Sequence, residues 1–251
     1  MAEVFEFSHT KIDDHVEKVG VDIRPAIEIK LDREKLYQFG LELIDAYPQL
    51  FESLVQSPMD YRVTKKFIFP GKGEAEIPTL SFIPRGLVFT FPRRLAIFGE
   101  ELELEDVDDV VVDCLKKFRR KFQDRRIFRV GLVNEYVFFT GALTGAKIIC
   151  ERFTRLAPPV SEEVLLRINL ATDDFNRTVE IEAVRKLERI AEIPGHTQPT
   201  GYGVKVKVDV NNRDMGKDLD YNSVMGILQE ARMYNKRDLY AFLNGTVGGE
   251  Q

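Results

Sequence analysis

The densest group of chemically active side chains in this chain is a run of acids followed by a run of bases between residues 100 and 129. Eight acids lie in residues 100 to 113, and eight bases lie in residues 116 to 129, opposed there by Asp124 alone. The bases are Lys116, Lys117, Arg119, Arg120, Lys121, Arg125, Arg126 and Arg129. A segment with this net positive charge has the chemistry to bind a phosphate backbone, a nucleotide or an acidic protein surface.

The same charge pattern also has a structural explanation. Apolar residues recur inside it with helical spacing, at Val107, Val110, Val111, Cys114, Leu115, Phe118 and Phe122, which predicts an amphipathic helix over residues 106 to 123. Acids near the start of a helix and bases near its end complement the helix dipole, by roughly 0.3 to 1 kcal/mol each. The basic end therefore either complements this dipole, pairs with the acidic end of a second copy, or binds nucleic acid or a nucleotide.

A second candidate site is a glycine- and proline-rich stretch at residues 195 to 203. It contains His196, Thr197, Thr200 and Tyr202, and such a composition allows a ligand to approach the backbone closely. The stretch lacks both the GxGxxG pattern and the Lys-Ser/Thr ending of a phosphate-binding loop. It is interpreted either as a plain connecting loop or as the ligand loop of a small-molecule enzyme.

Metal and nucleophile chemistry find little support in the sequence. His9 and His15 lie near Asp13 and Asp14, but their spacing matches neither HExxH nor another strong ligand pattern. These residues are expected to be solvated in an N-terminal arm. The GxSxG nucleophile motif is absent from the sequence, so we predict no catalytic residue, no metal and no cofactor, and an enzyme is the less favoured class.

The composition is that of an ordinary globular protein. The 251 residues are 44% hydrophobic and 31% charged, with a formal net charge of −5, so a global attraction to nucleic acid or to an anionic membrane is not expected. The first residues lack a cationic and apolar leader, which predicts a cytoplasmic protein without membrane contact. Cys114 and Cys150 have apolar neighbours and are predicted to be reduced, buried thiols.

The elements that would position these residues follow a pattern that runs twice: strand, helix, several strands, long helix. The first pass covers about residues 21 to 124 and the second about residues 125 to 245. Residues 1 to 20 form an N-terminal arm or strand in this prediction, and residues 246 to 251 form a frayed tail. Both passes belong to a single predicted domain, residues 1 to 251.

Hydrophobic periodicity assigns the individual elements. Strands are predicted at residues 26–31, 62–69, 79–83, 87–91, 95–98, 127–139, 164–171, 178–184 and 204–210. The first predicted helix starts at the N-cap Asp32 and breaks or kinks at Pro48, after which Leu50 and Leu54 continue its apolar stripe. Two further helices are predicted over residues 106 to 123 and 224 to 242. Residues 141 to 153 are compatible with a helix or a strand, because Gly141, Gly145 and two adjacent isoleucines weaken the helical prediction.

The predicted fold class is α+β: two degenerate β-α-β(3-4)-α repeats that form a curved, mainly antiparallel sheet with the long helices packed on one face. This element order resembles a duplicated TATA-binding-protein-like arrangement, and the resemblance implies an architecture but no function. Separately, residues 126–132 (Arg-Ile-Phe-Arg-Val-Gly-Leu) with Asn134, and residues 208–211 (Val-Asp-Val-Asn), resemble an uncharacterised family of prokaryotic proteins of about this length. That resemblance implies no activity.

The function predicted from these observations is that of a non-catalytic interaction or scaffold protein that forms a homo-oligomer. Long alternating strands at residues 87 to 98 and 204 to 210 are expected to offer edges that pair between copies. The first alternative is a protein that binds nucleic acid, a nucleotide or an acidic protein partner through residues 116 to 129. The second alternative is a small-molecule enzyme that uses the stretch at residues 195 to 203.

Overall fold

The computed structural model describes residues 4–24, 32–56, 61–69, 73–83, 85–92, 104–122, 126–154, 163–189 and 197–246. Its nine strands are β1 Ile12–Arg24, β2 Ser53–Gln56, β3 Tyr61–Phe69, β4 Gly73–Ile83, β5 Gly86–Pro92, β6 Arg126–Gly141, β7 Leu165–Asn169, β8 Phe175–Arg189 and β9 Thr197–Asn212. Its helices are α1 Arg33–Ala46, α2 Leu104–Phe122, α3 Gly145–Phe153 and α4 Tyr221–Met233. A π-helical turn, Tyr234–Asp238, joins α4 to a last short helix, α5 Leu239–Leu243. The predicted α+β class is confirmed.

The strands form one antiparallel sheet in the order β2-β3-β4-β5-β1-β6-β9-β8-β7. The predicted edges are wrong in this sheet: β5, which contains residues 87–92, lies between β4 and β1, and β9, which contains residues 204–210, lies between β6 and β8. Among the described strands, the two short strands β2 and β7 lie at the edges of the sheet. The strands predicted at residues 26–31 and 95–98 fall outside the described residues.

The centre of the sheet is the antiparallel pair of β1 and β6. Its register sets Gly20 opposite Gly131. The chain reads Lys-Val-Gly-Val at residues 18–21 in β1 and Arg-Val-Gly-Leu at residues 129–132 in β6, so the two glycines occupy equivalent places in two similar segments. β5 lies outside β1, and β9 lies outside β6 in the same way.

Local capping explains where the helices begin. The Asp32 side chain accepts a hydrogen bond from the backbone N–H of Glu34 and starts α1 at the predicted place. The helix ends before Pro48, and Leu54 then belongs to strand β2 rather than to a continued helical stripe. Thr144 caps α3 in the same manner, so residues 145 to 153 are helical despite their unfavourable composition. Asp220 caps α4 through the N–H of Ser223.

The two faces of the sheet differ in chemistry. Alternate residues of the central strands are buried in the hydrophobic core, among them Val19, Val21, Leu132, Val206 and Val208. The intervening residues are partly exposed and form ion pairs across the strands, such as Lys18 with Glu135 at 3.0 Å. One buried and one solvated face are usual for an antiparallel sheet. In the described part of the chain, no helix is long and apolar enough to cross a membrane.

Candidate functional site

The predicted basic segment covers the last turns of α2 and the start of β6, and many of its charges are paired within the chain. The pairs are Lys117 with Asp113, Lys121 with Glu42, Arg119 with Asp218 and Arg129 with both Asp22 and Asp209. These acids come from α1, β1, α2, β9 and the turn before α4. Much of the positive charge that the sequence concentrates here is therefore offset in the folded chain.

Three described cations of this segment remain exposed: Lys116, Arg120 and Arg126. The Lys116 ammonium lies 5.5 Å from the centre of the Tyr221 ring, within cation–π range. Arg125 falls outside the described residues. The basic segment thus contributes a small exposed group of cations at one end of α2 rather than a continuous basic surface.

The stretch at residues 195 to 203 is not a loop from Thr197 onward. Strand β9 begins at Thr197, and Tyr202 pairs with Arg185 of β8. His196 and the side chain of Thr197 lie outside what the structure describes, whereas Thr200 is exposed and Tyr202 is half-buried. The interpretation of residues 197 to 203 as a loop is therefore wrong, and ligand binding by them stays a prediction. A Cβ on Gly201 would lie 2.6 Å from the ring of Phe139, which is 45% exposed and would have to shift.

The most unusual chemistry in the described molecule is a buried ion cluster formed by Arg232, Glu17 and Asp108. The guanidinium of Arg232 donates to both carboxylate oxygens of Glu17 at 2.8 Å and to both of Asp108 at 2.5 Å. Glu17 is fully buried, and the other two are nearly so. Two bidentate pairs on one guanidinium use the donor geometry that makes arginine suited to carboxylates.

Three distant elements bring this cluster together. Glu17 lies on the core-facing side of β1 in the middle of the sheet, Asp108 lies on α2, and Arg232 lies near the end of α4. Burial alone lowers the pKa of Arg232, but the hydrogen bonds and charges of Asp108 and Glu17 outweigh burial and raise that pKa above its ordinary value. Arg232 therefore stays charged and holds the sheet and both long helices in one arrangement.

A small polar cavity of about 40 Å³ lies beside this cluster. We call it the Arg232 cavity. Its walls come from a short helical turn at His9–Lys11, from β1 and β6, and from the helical segment around the π turn. The wall residues are His9, Ile12, His15, Asn134, Tyr136, Arg232, Asn235 and Lys236. Half of these residues are bases. Glu17 and Asp108 do not line it, so the cavity meets the cluster through the guanidinium.

Two amide side chains in the cavity wall carry polar atoms that the described residues leave without hydrogen bonds. Asn235 is 4% exposed, and neither its Oδ1 nor its Nδ2 has a partner among them. Asn134 is 3% exposed; its Nδ2 donates to the Tyr136 hydroxyl at 3.0 Å, but its Oδ1 has no partner there. Buried polar atoms are normally bonded, because leaving them unbonded costs about 1 to 3 kcal/mol each. A water or ligand in the cavity would satisfy both side chains.

The expected solvation of the two N-terminal histidines is wrong for His15. Its ring is buried and lies against the Tyr136 ring, with centres 4.4 Å apart. His9 is exposed and packs on Tyr240.

Sequence reasoning missed the site formed by the ion cluster and the Arg232 cavity because its members come from four separate segments. One local signal was available: Glu17 interrupts the apolar positions of β1 that face the core.

Cys114 and Cys150 are both buried and free, as predicted. Burial and the charge of Asp113 raise the pKa of the Cys114 thiol above its ordinary value. Cys114 is therefore not an activated nucleophile, since a reactive cysteine needs a lowered pKa and access to solvent.

Comparison with known proteins adds no further constraint. No family model, no curated protein and no solved structure matches the chain. Function must therefore be inferred from the geometry described above.

Proposed function

We propose that this protein is a non-catalytic interaction protein that associates with itself through the free edge of strand β7. The observation that carries this proposal is Leu165, which is 68% exposed on a strand that pairs with β8 on one side only within the described sheet. A strand edge offers backbone hydrogen-bonding groups to another strand, and an exposed apolar residue on it adds contact area. A second copy of the chain supplies a matching edge.

The charge on β7 limits the possible registers. Arg167, held by Glu180 at 3.5 Å, is the only charged residue of the strand. An antiparallel pair centred on Arg167 would set two arginines opposite each other, which is unfavourable. A pair centred on Leu166 instead sets Leu165 of one copy opposite the aliphatic stem of Arg167 of the other. We infer that the association uses this second register.

The proposal also includes the architecture predicted from the sequence: one domain, residues 1 to 251, built by internal duplication with the long helices on one face of the sheet. The pairing of Gly20 with Gly131 supports it, because a twofold axis through this pair relates residues 18–21 to residues 129–132. The capped helix α1 begins 13 residues after Gly20, and the capped helix α3 begins 14 residues after Gly131. The same proposal includes the resemblance to a duplicated TATA-binding-protein-like arrangement, the resemblance to a prokaryotic family and a cytoplasmic location.

Sedimentation velocity over a range of concentrations tests the self-association. The wild type is expected to form a dimer, and Leu165→Lys is expected to shift it to monomer because charges on an edge oppose strand pairing. Met215→Lys is the matched control, since Met215 is 46% exposed in the turn before α4 and is not part of β7. A wild-type monomer at all concentrations, or a dimer that Leu165→Lys leaves intact, would contradict the proposal.

The alternative of nucleic-acid or nucleotide binding is favoured by one observation, the exposed group Lys116, Arg120 and Arg126. Absorbance at 260 nm, recorded during the same sedimentation runs, separates the two functions. This alternative would be established if nucleic acid sedimented with the protein, if added salt weakened that binding, and if the variant Arg120→Glu plus Arg126→Glu abolished it. The same charge changes are expected to leave a β7-mediated dimer unaffected.

A further inference from the structure

The edge of strand β2, together with the side of helix α1 that projects past it, forms a second surface suited to another chain. We call it the α1–β2 edge and define it by Tyr37, Leu41, Leu54 and Val55. We propose that it binds an extended segment of a partner protein as an added strand. β2 and β7 lie at opposite ends of the described sheet, so the α1–β2 edge stays free in a dimer paired through β7.

The backbone of β2 is open to pairing on one side. The strand pairs with β3, from Ser53 opposite Thr64 to Gln56 opposite Tyr61, and no described strand lies on its other side. Edge strands of natural proteins usually carry charge or proline that blocks further pairing. The four residues of β2, Ser-Leu-Val-Gln, contain neither.

Helix α1 lies over β2 and runs antiparallel to it. A Cβ on Gly40 would lie 2.3 Å from a methyl group of Leu54. Tyr61, which is opposite Gln56 in the register, donates its hydroxyl to the carbonyl oxygen of Leu36 at 2.5 Å. A step from Leu54 to Gln56 along the strand therefore follows the helix backwards from Gly40 to Leu36.

One side of α1 faces the space beside β2. The ring of Phe39 lies 6.0 Å from that of Phe82 in β4, so Phe39 points toward the interior of the sheet. Gly40, about 100° further around the helix, faces β2 itself. The next step of about 100° reaches Leu41, with Tyr37 one turn earlier on the same side. These two side chains therefore project past β2, over the place that an added strand would occupy.

The exposed apolar side chains indicate what the added strand carries. Tyr37 is 48% exposed, and Leu41 and Val55 are each 45% exposed. Side chains of a strand alternate between its two faces, so every second side chain of the added strand would lie under α1 against Tyr37 and Leu41. Two apolar residues separated by one residue fit this surface, and the edge of β2 supplies the backbone hydrogen bonds.

The charges of α1 favour a basic segment. The helix and its cap Asp32 carry four acids against two bases. Of these acids, Glu42 pairs with Lys121 of α2, whereas Glu34 is exposed three residues before Tyr37, on the same side of the helix. Lysine or arginine is therefore favoured at the end of the bound segment that lies toward the start of α1.

A different protein, rather than a second copy, is the occupant that agrees with the proposed function. Copies that pair at both ends of the sheet form an assembly that does not close, whereas pairing through β7 alone closes as a dimer. The choice of occupant thus rests on the proposed function, but the site itself does not.

Fluorescence anisotropy with the full chain tests the proposal. The probe is a fluorescein-labelled heptapeptide, Lys-Thr-Ile-Thr-Ile-Thr-Lys, in which the two isoleucines alternate with threonine. We expect saturable binding. A peptide of the same composition with adjacent isoleucines, Lys-Thr-Ile-Ile-Thr-Thr-Lys, should bind at least tenfold more weakly, because only one isoleucine then faces α1.

Two N-methylated copies of the probe test the backbone pairing. One carries methyl groups on the amides of its second and fourth residues, and the other on those of its third and fifth residues. Successive N–H groups of a strand point to opposite sides, so only one copy loses the donors that face β2. That copy should bind at least tenfold more weakly, and the other should bind as the parent peptide does.

Variants of the protein locate the site. Leu41→Gln and Tyr37→Gln change exposed side chains and should each weaken binding of the probe by about tenfold. Met233→Gln, at a residue of α4 that is 53% exposed, is the matched control and should bind as the wild type does. Leu165→Lys should also bind the probe normally even though it breaks the proposed dimer, so failure of one proposal is distinguishable from failure of the other.

Four results would overturn the proposal. The first is anisotropy that does not saturate with the wild type. The second is equal binding of the two isoleucine peptides, or equal effects of the two N-methylated copies. The third is an affinity that both Leu41→Gln and Tyr37→Gln leave unchanged. The fourth is a wild type that sediments as a species larger than a dimer and that Leu41→Gln reduces to a dimer, which would assign the α1–β2 edge to a second copy.

Discussion

At the scale of single residues, Arg232 is the side chain whose loss this fold should tolerate least. It donates to two buried carboxylates, and removing one partner of a buried ion pair typically costs about 3 to 5 kcal/mol because charge is left behind in the interior. We expect Arg232→Met to lower the free energy of unfolding by that amount. Urea denaturation measures it, with Arg237→Met as the control, because the Arg237 side chain is 73% exposed.

Neutralising the carboxylates should restore part of the lost stability. The variant that combines Arg232→Met with Glu17→Gln and Asp108→Asn is expected to be more stable than Arg232→Met alone, because buried ion clusters are often replaceable as a unit. If the combined variant were less stable than Arg232→Met, the carboxylates would have structural roles beyond their pairing with Arg232.

The sequence could not predict this cluster. Arg232 and Glu17 are 215 positions apart, and no local periodicity relates them. Asp108 was explained by the helix dipole, which accounts for its place on α2 but not for its burial. The bases at residues 116 to 129 show the converse. The apolar spacing correctly predicted that several of them lie at the end of a helix, but the acids that neutralise Arg119, Lys121 and Arg129 come from other parts of the chain.

At the scale of elements, two glycines predict opposite responses to the same change. A Cβ on Gly145, the first residue of α3, would overlap the carbonyl oxygen of Gly203 in β9, so Gly145→Ala should destabilise the protein by about 1 to 3 kcal/mol. A Cβ on Gly226 in α4 meets no described atom within 4 Å. Gly226→Ala should therefore stabilise by about 0.5 to 1 kcal/mol through helix propensity.

Urea denaturation of both alanine variants checks this pair of predictions. Equal effects would mean that α3 is not held against β9 at Gly145.

Most elements themselves were predictable from pattern: α1, α2, the last helix and the strand at residues 204 to 210 follow from periodicity and capping. The region after Pro48 was not, because Leu50 and Leu54 fit a helical stripe and a buried turn with a strand equally well, and only their packing decides.

At the scale of the whole molecule, the continuous sheet predicts a single cooperative unfolding step. Strands β1 and β6 pair at 12 positions and so join the two halves of the sheet, β2-β3-β4-β5-β1 and β6-β9-β8-β7. The buried cluster of Arg232, Glu17 and Asp108 ties β1 to α2 and α4. Cys114 in α2 and Cys150 in α3 report on one half each. The variants Cys114→Ala and Cys150→Ala each keep one thiol. We expect that thiol to become reactive toward a chromogenic disulfide at the same urea concentration in both variants.

Two clearly different urea midpoints would show instead that the halves unfold separately.

The sequence predicted the order of elements well enough to suggest a duplicated sheet, but not which strands meet at its centre or at its edges. Strand order depends on pairing between distant segments, and alternation within a strand, as at residues 204 to 210, is the same for an interior and an edge position.

Which ends of the sheet pair with each other controls how far assembly can proceed. If β7 pairs with β7, the contact is the same from both sides, the symmetry closes and growth stops at two copies. If β7 were to pair with β2, each new copy would expose another free end, and the product would be a fibre. Since β2 is only one residue shorter than β7, strand length does not decide between the two routes, and the sizes of the species in solution separate a closed dimer from a growing fibre.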